Sequence, residues 1–388
     1  MTVTSPQGFR ASGVRAGIKA SGNPDVALVV NDGPLDVVAG VFTANRFQAA
    51  PVLWTRQAVA DGQMRAVILN SGGANACTGP DGFADTHRTA EHVAQALTGA
   101  GHEVGPGDVG VCSTGLIGER LPMDRLLSGA DAAVTVLSEA GGPDAATAIM
   151  TTDTVAKTST VSVDGFTVGG MAKGAGMLAP ALATMLVVVT TDAVVDAAQA
   201  DAALRAACAL TFDRIDSDGC MSTNDTVLLL ASGASGVAPS APAFTDAVTA
   251  VCADLARQLI GDAEGASKDI EIAVSGAAST QDAVEVARAV SRSNLLKCAI
   301  HGEDPNWGRV LSAIGTTAAV FEPSEVDVAI NGVWICRGGG IGESRDFVSM
   351  SGRSVRIDIE LGAGSESASV WTNDLTADYV HENSAYAT

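Results

Sequence analysis

Met171-Ala-Lys-Gly-Ala-Gly-Met-Leu-Ala-Pro-Ala-Leu-Ala-Thr-Met-Leu-Val-Val-Val-Thr190 is the stretch from which the fold is read. From Thr184 to Val189 it has no charge, no Gly and no Pro, and it is rich in β-branched residues, so it reads as a buried strand. The part before it cannot be regular helix, because Gly174, Gly176 and Pro180 interrupt it. Nearly all residues there are small enough to let backbones approach closely. Thr184 therefore stands where a glycine loop enters a rigid strand, with Lys173 eleven positions upstream. A hydroxyl in that place, faced by small residues and a lysine, is a candidate nucleophile.

Around this stretch the chain has 388 residues, enough for two domains or one large α/β body. With 47% hydrophobic and 17% charged residues it is globular in composition, and with only 4% aromatic its core must be Ala, Val, Leu and Ile. A net charge of −21 argues against nucleic acid and anionic membranes, though not against a small anionic substrate at a local site. Seven cysteines, an odd number without a Cys-x-x-Cys, indicate neither a disulfide framework nor zinc; they read as small buried hydrophobes in a reducing compartment. The N-terminus lacks the apolar core of a signal peptide, and no apolar run approaches the ~20 residues that span a bilayer. The expected location is cytoplasmic.

Upstream of the central stretch, residues 26–30 and 37–42 read as strands joined by a turn at Asn31-Asp32-Gly33. A strand at 66–69 feeds a Gly/Asn loop, 70–79, which lacks the Gly-Lys-Ser/Thr ending of a phosphate loop. His87 and His92 lie five apart on a helical stretch and face differently, which is not metal-pair spacing. A strand at 109–112 ends in Ser113-Thr-Gly115, freeing a hydroxyl and backbone N–H groups of the kind that hold an oxyanion. Residues 121–137 read as helix. Thr151-Thr-Asp-Thr154 is a hydrogen-bonding cluster, followed by a hairpin around Asp164-Gly165. Downstream, 193–212 reads as helix. The loop 213–226 carries Asp213, Asp216, Asp218 and Asp225 but fails calcium-loop spacing, so it reads as a polar loop near the site. A helix over 244–259 ends at Gly261-Asp-Ala-Glu-Gly265. Then come a strand at 270–274, a Ser279-capped helix, a strand and loop over 294–309 in which Lys297 and His301 are read as structural or as supporting site residues from behind, and a hairpin at Asn331-Gly332. Further strands follow at 355–361 and from 370. The polar tail 380–388 should fray by default. The fold class is α/β (α+β), layered sheets packed with helices, with a main body over 1–275 and a smaller C-terminal α/β domain over 276–388.

Lys173-Gly-Ala-Gly-Met-Leu followed by Ala183-Thr-Met-Leu resembles the self-cleavage site of the ornithine acetyltransferases, or glutamate N-acetyltransferases, of arginine biosynthesis. Ser113-Thr-Gly115, Thr151-Thr-Asp-Thr154, Asp262-Ala-Glu-Gly265 and Glu382-Asn-Ser-Ala-Tyr386 resemble that family's motifs in the same order, over nearly the whole chain. The resemblance implies an N-terminal-nucleophile enzyme that breaks between Ala183 and Thr184 into chains 1–183 and 184–388. It implies Thr184 as nucleophile, Thr114 and Gly115 as oxyanion hole, and Thr151, Lys173, Thr184, Glu264, Asn383 and Thr388 as substrate contacts, the tail folding back into the site. It also implies an (αβ)2 heterotetramer.

The chemistry is coherent from the residues up. A threonine hydroxyl needs a base, and the freed α-amine of Thr184, with an ordinary pKa near ~8, supplies one. The expected reaction is ping-pong transfer of acetyl from N-acetylornithine to glutamate, with Lys173 pairing with a substrate carboxylate and Glu264 with a substrate ammonium. No metal or redox cofactor is expected; acetyl-CoA is a further possible donor. Rival readings are a self-cleaving aminopeptidase or amidohydrolase that transfers to water, and a non-catalytic amino-acid-binding protein.

Overall fold

The computed structural model describes residues 2–179 and 185–385. Three sheets organise them. The first, in order β1 (Phe9–Val14), β2 (Val26–Asn31), β4 (Ala66–Ser71), β5 (Val109–Thr114), is antiparallel except for its β4–β5 pair. The second runs β3 (Val37–Phe42), β9 (Thr226–Ala231), β8 (Leu186–Thr191), β7 (Phe166–Lys173), β6 (Lys157–Val163), with β8 and β9 parallel.

The apolar run of the opening stretch becomes β8, and its lack of polar residues now has a cause. Leu186 and Val188 face the first sheet, while Val187 and Val189 face helices, so both faces of the strand are buried. Burying each such side chain contributes about 1.5–3 kcal/mol. Between the two sheets lie Phe9, Val29, Leu69, Met171 and Leu228, together with the short helix α4 (Gly142–Ala148). The outer face of the first sheet is covered by α2 (Gly79–Gly99) and α3 (Met123–Thr135), with Trp54 of α1 (Ala50–Ala58) against the same cluster. The outer face of the second sheet is covered by α5 (Ala197–Leu210) and α6 (Ala241–Gly261). The body is thus four layers, helix–sheet–sheet–helix, as a layered α/β reading requires.

The third sheet is a separate layer with its own core, ordered β13 (Gly340–Ile341), β12 (Val333–Arg337), β11 (Asp327–Ile330), β14 (Ser354–Glu360), β10 (Asp269–Ala277), β15 (Glu366–Asn373). Packed on it are α7 (Thr280–Ser291), α8 (Asn294–His301) and α9 (Trp307–Ile314). The expected boundary at 275/276 falls inside β10, which pairs only with strands of this third sheet. The last helix, α10 (Ala377–Ala385), carries the tail.

Both Asp-Gly and Asn-Gly hairpins form as read. Asp164 and Gly165 have φ of +48° and +86°, and Asn331 and Gly332 have +48° and +83°, the left-handed pair that matches strand twist. The turn at Asn31–Gly33 differs. Its strands do not pair with one another: β2 joins the first sheet and β3 the second. Asn31 Oδ1 accepts the Gly33 N–H at 3.0 Å, while Asn31 Nδ2 donates to Leu35 and Ala231. This asparagine-closed turn carries the chain between layers. The strand expected within 294–309 is also corrected, to α8 and α9. Ser293 and Asn306 cap these helices, and Leu296, Ala299 and Ile300 are buried at helical spacing while Leu295 is 67% exposed. Four cysteines are buried as expected, but Cys77, Cys220 and Cys298 are exposed.

Candidate active site

The site is built where β5, β7 and the ends of α6 and α10 converge. Thr114 is the last residue of β5, and its carbonyl accepts the N–H groups of both Gly72 and Gly73, at 2.9 and 3.0 Å. That draws the glycine loop over the strand end. Gly115 has φ +131°, and a Cβ there would stand 2.5 Å from Gly73 N and 2.7 Å from the Gly72 carbonyl carbon, so only glycine fits. Asn224 locks the arrangement from below, donating to the carbonyls of Ala74 and Ser113 at 2.6 and 2.8 Å.

Lys173, at the end of β7, is 1% exposed and donates to Thr114 Oγ1 at 3.3 Å. A threonine hydroxyl that accepts from an ammonium keeps its own proton to give, which suits it to an oxyanion. Burial pulls the Lys173 pKa down, against Asp153, Asp225 and Glu264, which push it up. Asp153 holds the neighbouring backbone: Oδ1 accepts Gly174 N–H at 2.6 Å and Oδ2 accepts Thr151 N–H at 2.9 Å. Burial works to raise the Asp153 pKa, but Lys173 and Lys157 outweigh it and hold the carboxyl at about 2.

The Thr-Thr-Asp-Thr and Asp-Ala-Glu-Gly motifs are clasped together by groups that sequence reasoning left unassigned. Lys157 is fully buried and lies 2.6 Å from both Asp153 Oδ1 and Asp262 Oδ2. Asp262 also accepts the Thr154 N–H at 3.0 Å and the Thr154 hydroxyl. Two residues on, the Glu264 N–H reaches the Ala175 carbonyl at 3.0 Å, and its carboxylate lies against Gly176, where a Cβ would stand 2.6 Å from Oε2. The tail, read from its composition alone as fraying, is helical here, and Asn383 Nδ2 donates to Glu264 Oε2 at 3.0 Å.

One small pocket is lined by Thr114, Gly115, Thr151, Thr152, Lys173, Gly176, Met177, Glu264 and Asn383. It brings together all six expected site residues that lie among the described ones. Ala183, Thr184 and Thr388 lie outside the described residues. Larger depressions elsewhere, such as the one between β3 and α5 that holds Asp201 and Arg205, contain none of these groups. Lys297 and His301 lie away from the pocket, Lys297 donating to the Ser217 carbonyl and His301 lying 2.9 Å from Asp374 Oδ2. Among the described residues no group of three or more His, Cys, Asp or Glu is placed to hold a metal, and no helix is long and apolar enough to cross a membrane.

The sequence matches the ArgJ family over residues 10–388. The chain belongs to the ArgJ family. Relatives named arginine biosynthesis bifunctional protein ArgJ include one from Streptomyces avermitilis, 67% identical over 387 residues, and one from Bifidobacterium longum, 57% identical over 394, each covering all of both chains. Among solved structures, an ornithine acetyltransferase complexed with ornithine from Mycobacterium tuberculosis is 61% identical, covers 48% of this chain and 96% of its own, and has a TM-score of 0.46. ArgJ membership is what the motifs quoted from the sequence implied.

Proposed function

We propose that this ArgJ chain breaks its own backbone between Ala183 and Thr184 and then moves acetyl groups from N-acetylornithine to glutamate through an acetyl-Thr184 intermediate. The observation that carries the reading is the convergence on one pocket of Thr114, Gly115, Thr151, Lys173, Glu264 and Asn383, from five separated segments, directly beside the loop that leads to Thr184.

In the first half-reaction Thr184 Oγ attacks the acetyl carbonyl carbon, and its proton passes to the freed α-amine. Thr114 and Gly115 stabilise the oxyanion. The C–N bond then breaks, and ornithine leaves with the proton from the amine. In the second, the glutamate amine attacks acetyl-Thr184, its proton passes to the α-amine, and Oγ regains it on leaving. Lys173 acts here by polarising Thr114 as well as by attracting a substrate carboxylate, and Glu264 holds a substrate ammonium beside Asn383. The amine supplies the base, so the reaction asks for no metal or redox cofactor. The relatives are named bifunctional, which supports acetyl-CoA as a second acetyl donor to glutamate. The two product chains stay together as a cytoplasmic (αβ)2 assembly.

The test is the pair of wild type and Thr184→Ala on a denaturing gel and in a glutamate-dependent transfer assay. Wild type should give two fragments and activity, the variant one band and none. A cleaved Thr184→Ala chain, or hydrolysis to free acetate with no dependence on glutamate, would overturn the reading. An acetyl-CoA/glutamate assay beside it reads the second donor.

A further inference from the structure

β5 is an edge strand, paired with β4 on one side only, so the backbone groups along its outer edge must find partners elsewhere. Side chains supply them one after another. Trp54 Nε1 donates to the Val109 carbonyl at 3.0 Å. The Thr55 hydroxyl donates to the Val111 carbonyl at 2.7 Å and accepts the Val111 N–H at 2.9 Å. Asn224 Nδ2 donates to the Ser113 carbonyl at 2.8 Å. Gly115 is the next residue on that edge. It lines the pocket, and among the described residues its N–H meets no acceptor. Its direction follows from the peptide it belongs to. The Thr114 carbonyl is taken by the N–H groups of Gly72 and Gly73, and in a trans peptide the next N–H points the opposite way, so the Gly115 N–H points away from the glycine loop.

Asn224 holds both sides of this peptide. Its Nδ2 carries two hydrogens, and both are used, one on the Ser113 carbonyl and one on the Ala74 carbonyl at 2.6 Å. Ser113 directly precedes Thr114, and Ala74 directly follows the two glycines that grip the Thr114 carbonyl. The amide oxygen accepts the Thr223 hydroxyl at 2.6 Å, so a flipped amide would set oxygen against two carbonyls. The side chain is buried and stands outside the pocket lining. Without it, two buried carbonyls lose their donors, the glycine loop and the end of β5 are no longer tied, and the peptide between Thr114 and Gly115 can turn.

We propose that Asn224 is a positioning residue for acetyl transfer: by tying the Ser113 and Ala74 carbonyls together it aims the Gly115 N–H at the oxyanion. Asn224 lies in the 184–388 segment and every group it holds in the 1–183 segment. Both product chains of the proposed cleavage therefore build the oxyanion hole, although its two donors come from one of them.

This inference rests on the acetyl-Thr184 reading above. The experiment compares Asn224→Leu with Trp54→Phe. Leucine fills nearly the same space as asparagine and gives neither hydrogen. Trp54→Phe removes a bond of the same kind further along the same edge, away from the pocket. Rates are measured per cleaved chain, counted on a denaturing gel. Asn224→Leu should lower kcat for transfer by about 10- to 100-fold, less than outright removal of an oxyanion donor. Its KM should stay within about threefold, since the donor is misaimed and substrate contacts are kept. Trp54→Phe should keep kcat within about twofold of wild type. Difference infrared spectra of the acetyl-enzyme, made from N-acetylornithine labelled with carbon-13 at the acetyl carbonyl, read the aim directly. The labelled band should move in Asn224→Leu toward the higher wavenumber of a free ester and stay in place in Trp54→Phe. If Asn224→Leu is misfolded or uncleaved, Asn224→Ser, which keeps one hydrogen to give, is read by the same two signatures. A kcat within about threefold of wild type, a loss carried by KM, an unmoved band, or an equal loss in Trp54→Phe would overturn the proposal. A cleaved wild type that never takes up the labelled acetyl group would instead remove the acetyl-enzyme reading, and this proposal with it.

Discussion

Replacing Lys157 by methionine tests whether the site is held by charge. In the wild type the Lys157 ammonium is fully buried between Asp153 and Asp262, 2.6 Å from each. Methionine has nearly the same length and no charge, so packing is kept and the two carboxylates lose their shared cation. Breaking a buried ion pair costs about 3–5 kcal/mol, because the stranded charge stays desolvated. Lys173 remains to attract Asp153, which places the expected loss at the lower end, about 3 kcal/mol at pH 7. An unfolding entropy of about 2.1 cal/mol/K per residue makes that a fall in Tm of about 4 °C for a chain of this size. The pH dependence separates charge from packing. Asp153 titrates at about 2 when folded against an ordinary 3.8, so its contribution is complete above about pH 4 and is lost as pH falls through 2. The deficit of Lys157→Met should therefore be largest at pH 7 and shrink below pH 4, and adding Asp262→Asn should return part of it. Scanning calorimetry at pH 7 and pH 3.5 reads both. A Tm within 1 °C of wild type at pH 7, or an equal deficit at both pH values, would refute the reasoning.

Thr114→Ala removes the hydroxyl polarised by Lys173 and should lower kcat for transfer by about 100- to 1,000-fold, measured on chain that has already cleaved. Gly115→Ala places a methyl group 2.5 Å from Gly73 N at φ +131°, so transfer should be lost with the fold kept, read by assay beside circular dichroism. Asp218 is pushed up to about 6, chiefly by burial, so its stabilisation is complete below about pH 4 and is lost as pH rises through 6. Asp218→Asn should flatten the stability profile over that window, where the wild type loses about 3 kcal/mol, and calorimetry across pH 4–7 checks it. Asn383→Ala removes one exposed hydrogen bond to Glu264, worth about 0.5–1.5 kcal/mol, and should raise KM by about 3- to 10-fold with little change in kcat.

What could be read from the sequence was what local chemistry decides. An uncharged β-branched run had to be a strand buried on both faces, and Asp164-Gly165 and Asn331-Gly332 had to turn hairpins because they tolerate φ above zero. Thr114-Gly115 could be read because a strand end frees backbone donors. What stayed hidden depends on partners far along the chain. No local rule says that β3 leaves β2 to pair with β9 nearly two hundred residues on, since either layer would bury its apolar face. In 294–301 the apolar residues suit a short strand or a short helix equally well, and the Ser293 cap together with one-sided burial tips the balance.

The hidden part of the site has a common form. Thr154 and Lys157 are explained by Asp262, Glu264 by Asn383, Met177 by Asp218, Met185 by Asp225, and Ser113 by Asn224. Where both members lie in quoted motifs, as with Thr154 and Asp262 or Glu264 and Asn383, the pairing was hidden; in the others one member lies outside every motif and holds the geometry. The proposed cleavage and transfer would ask this pocket for fixed geometry, which apolar packing, tolerant of sliding, does not supply. Directional hydrogen bonds to the Asp218 and Asp225 carboxylates fix the backbone N–H groups of Met177 and Met185, on either side of residues 180–184. Asp153 and Asp225 are buried in this use, their bonds reaching Thr151, Gly174 and Met185.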